Sequence, residues 1–185
     1  MPVGESEVAR ALPVGEVTFL FTDIVGSTAR WEHQPEAMRV AIAAHDELLQ
    51  MIVDENSGFV FKGLGDGVCA AFGTAFDGVA AALEGQHRLL EHSWGTIGPL
   101  PVRMALHTGP AELREGDYFG RVLNRTARLV ATAHGGQVVL TQATASLVED
   151  RLPSGGSLTD LGMHRLKDLS RPEHVFQLGH SDLTT

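Results

Sequence analysis

The segment EVTFLFTDI at 16–24 is apolar almost throughout, the pattern of a strand buried on both faces rather than one that alternates. VGST follows, with Ser27 or Thr28 as the expected N-cap of a helix over 29–55. Within that helix Trp31, Met38, Ile42, Leu48, Leu49 and Ile52 recur at helical spacing. Apolar GFVF and VCAAF flank GLGDG and predict a hairpin over 59–72. An Ala-rich second helix is expected over 74–91, with Val79, Leu83, His87 and Leu90 on one face. VRMALHTGP reads as a strand over 102–110 that stops at Gly-Pro. After polar AELREGDYFG, the segment RVLNRTARLVATA has a helical pattern that ends at HGG. QVVLT is then a strand, QATASLVED a short helix, and HRLKDLSRPEHVFQL two short strands around Arg171-Pro172.

This order, β-α-β-β-α-β followed by α-β-α-β-β, predicts an α+β fold. It is a ferredoxin-like βαββαβ sandwich with a C-terminal αβαββ extension, its helices on one face of a largely antiparallel sheet. Residues 1–14 are expected to form a flexible arm, 15–179 one domain and 180–185 a short tail. No internal repeat or linker marks a second domain, and 185 residues suffice for one core without staples.

Composition narrows the chemistry more than the fold. The single cysteine, Cys69, lies inside an apolar run, so a disulfide framework or thiolate metal site is excluded and a reducing cytoplasm is expected. No apolar run approaches the ~18 residues of a membrane span, and the N-terminus lacks a signal-peptide core. A formal charge of −9 argues against a nucleic-acid footprint but permits a small anionic ligand held by a few cations. The nine histidines show no metal-site spacing, and His107 on its strand reads as structural.

Two aspartates carry the candidate chemistry. Asp23 ends the first strand and Asp66 sits at the hairpin tip; in a ferredoxin-like sandwich those strands are central neighbours, so both carboxylates converge at one sheet end. Paired carboxylates without histidine or thiolate suit hard Mg²⁺ or Mn²⁺. Two such ions about 4 Å apart clamp both oxygens of a phosphoryl displacement. The helix opened by VGST offers free backbone N–H groups to phosphate. Standing alone, an aspartate at a hairpin tip is ordinarily turn chemistry, and GLGDG is not a Walker motif. Further along, Asn124 and Arg128 lie four apart on a helix and face the same way. Asn124 falls among Val122, Leu123 and Leu129, where an amide needs a partner, and Asp117 lies in a loop able to approach the same pocket.

Taken together and in order, VTFLFTDIVGST, KGLGDG, VRMALHTGP, DYFGRVLNRTARL and HRLKDLSRPEHVFQL resemble the catalytic domain of class III nucleotidyl cyclases of the adenylate cyclase kind. The resemblance implies that Asp23 and Asp66, helped by the Ile24 carbonyl, hold two divalent cations. It implies that the backbone of Gly26, Ser27 and Thr28 cradles phosphates, and that Arg103 and Lys167 also face the triphosphate. Lys62 and Asp117 match the pair that reads the base; Asn124 and Arg128 match the pair that stabilises the transition state. The expected reaction is ATP to 3′,5′-cyclic AMP and pyrophosphate.

Hydrogen-bond complementarity supports adenine. A lysine only donates and a carboxylate only accepts, which suits adenine N1 and N6; guanine reverses both groups. In that family the site forms between subunits of a head-to-tail dimer, and this chain carries both halves, so a homodimer is expected. Alternatives are a guanylate cyclase, or a cyclase homologue without activity acting as a nucleotide-binding or interaction module. A diguanylate cyclase should carry a GG[DE]EF turn, which GLGDG lacks. Two features depart from the family pattern: AELREG is short beside the usual dimerisation arm, and Met163 stands where a glutamate is expected.

Overall fold

The computed structural model describes residues 11–181 and 183. Strand β1 (Gly15–Ile24) leads into helix α1 (Ser27–His33) and α2 (Pro35–Glu55). The hairpin β2 (Phe59–Gly63) and β3 (Val68–Phe72), helix α3 (Ala75–Glu91) and strand β4 (Val102–Arg114) follow. The rest is β5 (Asp117–Phe119), α4 (Arg121–Val130), β6 (Val138–Thr141), α5 (Gln142–Val148), β7 (Gly156–His164) and β8 (Glu173–His180). The sheet runs β2-β3-β1-β4-β6-β8-β7, with β5 paired to β4. β1 is flanked by β3 and β4, both antiparallel, and β4–β6 is a parallel pair. The α+β sandwich and its βαββαβ core are as the sequence predicts.

Full burial on both sides explains the unbroken apolar run of β1. Leu20 and Ile24 face a core shared with Met38, Ile52, Val79 and Leu106, under α2 and α3. Val17, Phe19 and Phe21 face a second core with Tyr118, Val122 and Leu129. That second core corrects one expectation: α4 covers the opposite face of the sheet from α2, α3 and α5, so the helices are not all on one side.

Several local readings change as well. The single helix expected over 29–55 is two, broken at Gln34 (φ −142°) with Pro35 opening α2. Proline lacks the N–H that would continue the helix and pushes its predecessor out of the α region. The N-cap of α1 is Gly26 in the left-handed region (φ 73°), not Ser27 or Thr28; Ser27 is instead the first helical residue. Trp31 and Leu90 are exposed at 37% and 64%, so neither continues its helix's buried stripe.

β4 passes through Gly109-Pro110 to Arg114 and turns back as β5, where a polar loop was expected. At Pro110 only β1 is alongside, because β6 pairs with residues 104–106, so the missing N–H falls on an open side. The first tail strand is β7, earlier in the chain than expected, and Lys167 lies on the β7–β8 connection rather than on a strand. β7 is an edge strand whose exposed positions dilute its apolar alternation. Of the expected arm and tail, residues 1–10, 182, 184 and 185 lie outside the described residues. Leu12 packs on the second core and the Pro13 carbonyl accepts from Tyr118 Oη at 2.8 Å.

Candidate active site

Asp23 and Asp66 reach one sheet end through backbone geometry. The hairpin turn is tied to β1 by Ile24 N–H donating to the Asp66 carbonyl (2.9 Å) and by Val68 N–H donating to Thr22 Oγ1 (2.9 Å). Gly67 permits this approach, since a Cβ there would stand 2.0 Å from the Thr22 carbonyl oxygen. Any side chain at 67 would force the Asp66 turn away from β1.

Each carboxylate then has one oxygen engaged. Asp66 Oδ2 accepts from Ser27 Oγ at 2.6 Å, which draws the start of α1 against the turn. Asp23 Oδ2 accepts from Arg103 Nε at 2.6 Å, its register partner on β4. Arg103 Nη1 also donates to the Ala131 carbonyl at 3.2 Å, beyond the end of α4. The Asp23–Arg103 and Asp66–Ser27 pairs thus lie at one sheet end, joined by the Ile24–Asp66 backbone bond. Among the described residues no group of three or more His, Cys, Asp or Glu is placed to hold a metal. Two carboxylates and a neighbouring carbonyl are all-oxygen donors with open coordination, which fits hard divalent ions completed by substrate phosphates.

The second group lies on the face of the second core, the side to which Asp23, two residues on from Phe21, also points. Lys62, at an irregularity in the β2–β3 register, donates to Asp117 Oδ2 at 3.2 Å. The β4–β5 hairpin folds over the second core to bring them together. Tyr118 sits against Phe19 and Phe61 with ring centroids 5.1 and 5.0 Å away. Lys62 and the Tyr118 N–H both hold the Asp117 carboxyl below its usual range.

Asn124 and Arg128 stand on the exposed face of α4, while Val122, Thr126 and Leu129 face the sheet. Asn124 is thus exposed rather than placed among its apolar neighbours, and no buried partner is needed. Arg128 pairs with Asp168 at 2.9 Å on the β7–β8 connection, the segment that also carries exposed Lys167. Arg125 turns away to Glu173 at 3.2 Å. Sequence reading missed Asp168, which adopts φ 62°. Its signal is slight: a charged residue beside Lys167, with nothing in its spacing to tie it to α4.

Two groups set aside by the sequence stay outside the site. His107 is buried with Nδ1 on Thr141 Oγ1 at 2.7 Å, and burial lowers its pKa to about 4. Cys69 is buried on β3, and burial pushes its thiol up to about 12, leaving no reactive thiolate.

The chain belongs to the adenylate and guanylate cyclase catalytic domain family, whose model matches residues 10–176. It is 43% identical over 179 residues to an uncharacterized protein of Mycobacterium tuberculosis, covering 96% of this chain and 60% of that one. The chain thus spans about three-fifths of that relative's length. It is 31% identical to receptor-type adenylate cyclase B of Leishmania donovani, over 88% of this chain and 15% of the relative. A solved structure of adenylate cyclases from Trypanosoma brucei in their monomeric state superposes with a TM-score of 0.85 at 30% identity. That superposition covers 96% of this chain and 94% of the other. Among the described residues no helix is long and apolar enough to cross a membrane.

Proposed function

We propose that this chain is an adenylate cyclase, converting ATP to 3′,5′-cyclic AMP and pyrophosphate at sites shared between two copies in a head-to-tail homodimer. The observation that carries the choice of ATP is the Lys62–Asp117 pair. A donor and an acceptor 3.2 Å apart on an exposed surface match the N1 acceptor and N6 donor of adenine. Guanine would set its carbonyl against the carboxylate and its N1–H against the ammonium, and such mismatches discriminate strongly.

In this reading Asp23, Asp66 and the Ile24 carbonyl hold two divalent cations, Mg²⁺ or Mn²⁺, which when bound acidify the ribose 3′-OH and neutralise the triphosphate. The 3′-OH gives its proton to solvent as its oxygen bonds to the α-phosphorus, the bond from that phosphorus to the bridging oxygen breaks, and pyrophosphate leaves with the electron pair. No protein nucleophile takes part. The backbone of Gly26, Ser27 and Thr28 holds phosphate oxygens, with Lys167 adding charge. Arg103 reaches the phosphates from its place on Asp23. Arg128 meets the charge that grows on the α-phosphate, an effect often worth a few kcal/mol. Asn124 orients the ribose.

Arg128 leaves Asp168, and Lys62 and Asp117 exchange each other for the base, as substrate enters. The exposed pairs that are given up are each worth roughly 0–1 kcal/mol, so this exchange is cheap. The two groups of residues come from different subunits in each site, which is why both exposed pairs face outward in a single chain. Purified protein supplied with ATP and Mn²⁺ should release cyclic AMP and pyrophosphate, with GTP turned over far more slowly. Absence of cyclic AMP at concentrations where the dimer forms would overturn the proposal.

A further inference from the structure

A cavity of about 640 Å³ opens at the beginning of β4 between the end of α3 and α1. Its size falls in the range of small-molecule sites. Leu89, Leu100, Trp94 and Leu183 supply apolar walls, and Arg30 supplies a fixed positive charge. The Arg30 guanidinium donates to the Ile97 and Pro99 carbonyls, both at 2.9 Å, so it is held in place. Those bonds use two of its five N–H donors and leave the others for a ligand. Among the described lining residues none is acidic.

The same walls are joined to the Asp23 end of the sheet. The Pro101 carbonyl accepts from Val25 N–H at 2.9 Å, one residue beyond Ile24. The Val102 carbonyl accepts from Gly136 N–H at 2.8 Å. Arg103, next in the chain, grips both Asp23 and the Ala131 carbonyl. A ligand drawing on Arg30 would therefore bear on the α1 start and on the strand that positions Asp23.

We propose that this cavity is an effector site for an aromatic monocarboxylate, its carboxylate on Arg30 and its ring against Trp94 and Leu100, and that occupancy changes turnover at the Asp23–Asp66 site. A fixed cation between apolar walls, with no acidic residue among the described lining, favours one negative charge on an apolar body. Trp94, in tilted contact with His92 and with its indole N–H donating to the Leu89 carbonyl at 3.0 Å, is an aromatic wall held in place against which a ring can pack. The effect on turnover rests on the cyclase reading; the binding site does not.

The test uses 3-phenylpropionate, with 3-phenylpropylamine as the charge-reversed control, read by the Trp94 indole N–H resonance of the full chain. Saturable shifts with the acid and at least tenfold weaker response to the amine are expected. Arg30→Gln should weaken the acid at least tenfold. Because that variant also loses two structural bonds, Leu90→Glu, at an exposed lining position, provides a second measure. It should weaken the acid by a similar factor without loss of fold. Equal response to acid and amine, or unchanged binding in both variants, would overturn the site. In the ATP assay, 3-phenylpropionate should alter turnover at least twofold in the parent and not in Leu90→Glu. Binding with unchanged turnover in an active enzyme would overturn the coupling. Binding in a chain that makes no cyclic AMP would overturn the cyclase reading and leave the site standing.

Discussion

The Asp23–Asp66 end of the sheet and the exposed face of α4 hold their candidate residues by different means. At the sheet end, backbone hydrogen bonds and a glycine under Thr22 fix the turn that carries Asp66, and the Asp66 and Asp23 carboxylates are each met by one side chain, Ser27 and Arg103. Lys62, Asp117 and Arg128 stand at more exposed positions and are held by single ion pairs. A site for multivalent cations gains from rigid spacing, because each ligand displaced by about an ångström costs coordination energy. A face that closes on a nucleotide from another subunit gains from side chains released at little cost. The division between a fixed turn and exchangeable exposed pairs suits the proposed site shared between two copies.

That division can be broken most directly at the carboxylates. Asp66→Ala and Asp23→Ala should each lower turnover at least about a thousandfold while the circular dichroism spectrum stays native. Retained activity in either would remove the sheet end from the chemistry. Next in size is Arg128→Ala, expected to lose roughly a hundredfold or more through weaker transition-state binding. Mixed with Asp23→Ala, it should recover activity, since one of the two sites in the mixed dimer is then intact. No recovery on mixing would place both halves in a single subunit.

A third measurement separates folding from function. The His107 pKa is lowered from 6.5 to about 4 in the folded chain. The unfolded chain therefore takes up a proton first as pH falls. The stabilisation is full above about pH 6.5 and is lost as pH falls towards 4. That shift corresponds to ~3 kcal/mol. Burial lowers the His45 pKa as well, so it acts in the same direction. Urea titrations between pH 7 and 4 should show the loss, and His107→Gln should flatten part of it. A parent whose stability is level over that range would contradict the buried neutral imidazole.

The smallest expected effect is on base choice. Lys62→Ala should reduce the ATP-over-GTP preference by about tenfold, and stability by less than about 1 kcal/mol because the pair is exposed. An unchanged preference would detach Lys62 and Asp117 from base reading.

The βαββαβ core order and the pairing of β1 with the hairpin were legible in the chain. They follow from local signals: unbroken apolar runs, a glycine-rich turn and the neighbour rules of a βαββαβ sandwich. The spacing of Asn124 and Arg128 was legible for the same reason, since four residues on a helix face one way.

What lay beyond local pattern was decided by long-range contact. Nothing in RVLNRTARL says which face of the sheet its helix covers; that depends on the apolar side chains β1 and β4 present there. The β4–β5 hairpin was hidden in AELREGDYF because its strands are short and polar at alternate positions. It is held by Tyr118 packing on Phe19 and Phe61, far away in sequence. Asp168 meets Arg128 only because β7 and β8 return to the sheet beside β6. The sequence by itself determined which residues could do chemistry. Tertiary structure decided their company, because partners at large separation are selected by packing, which no short window of sequence contains.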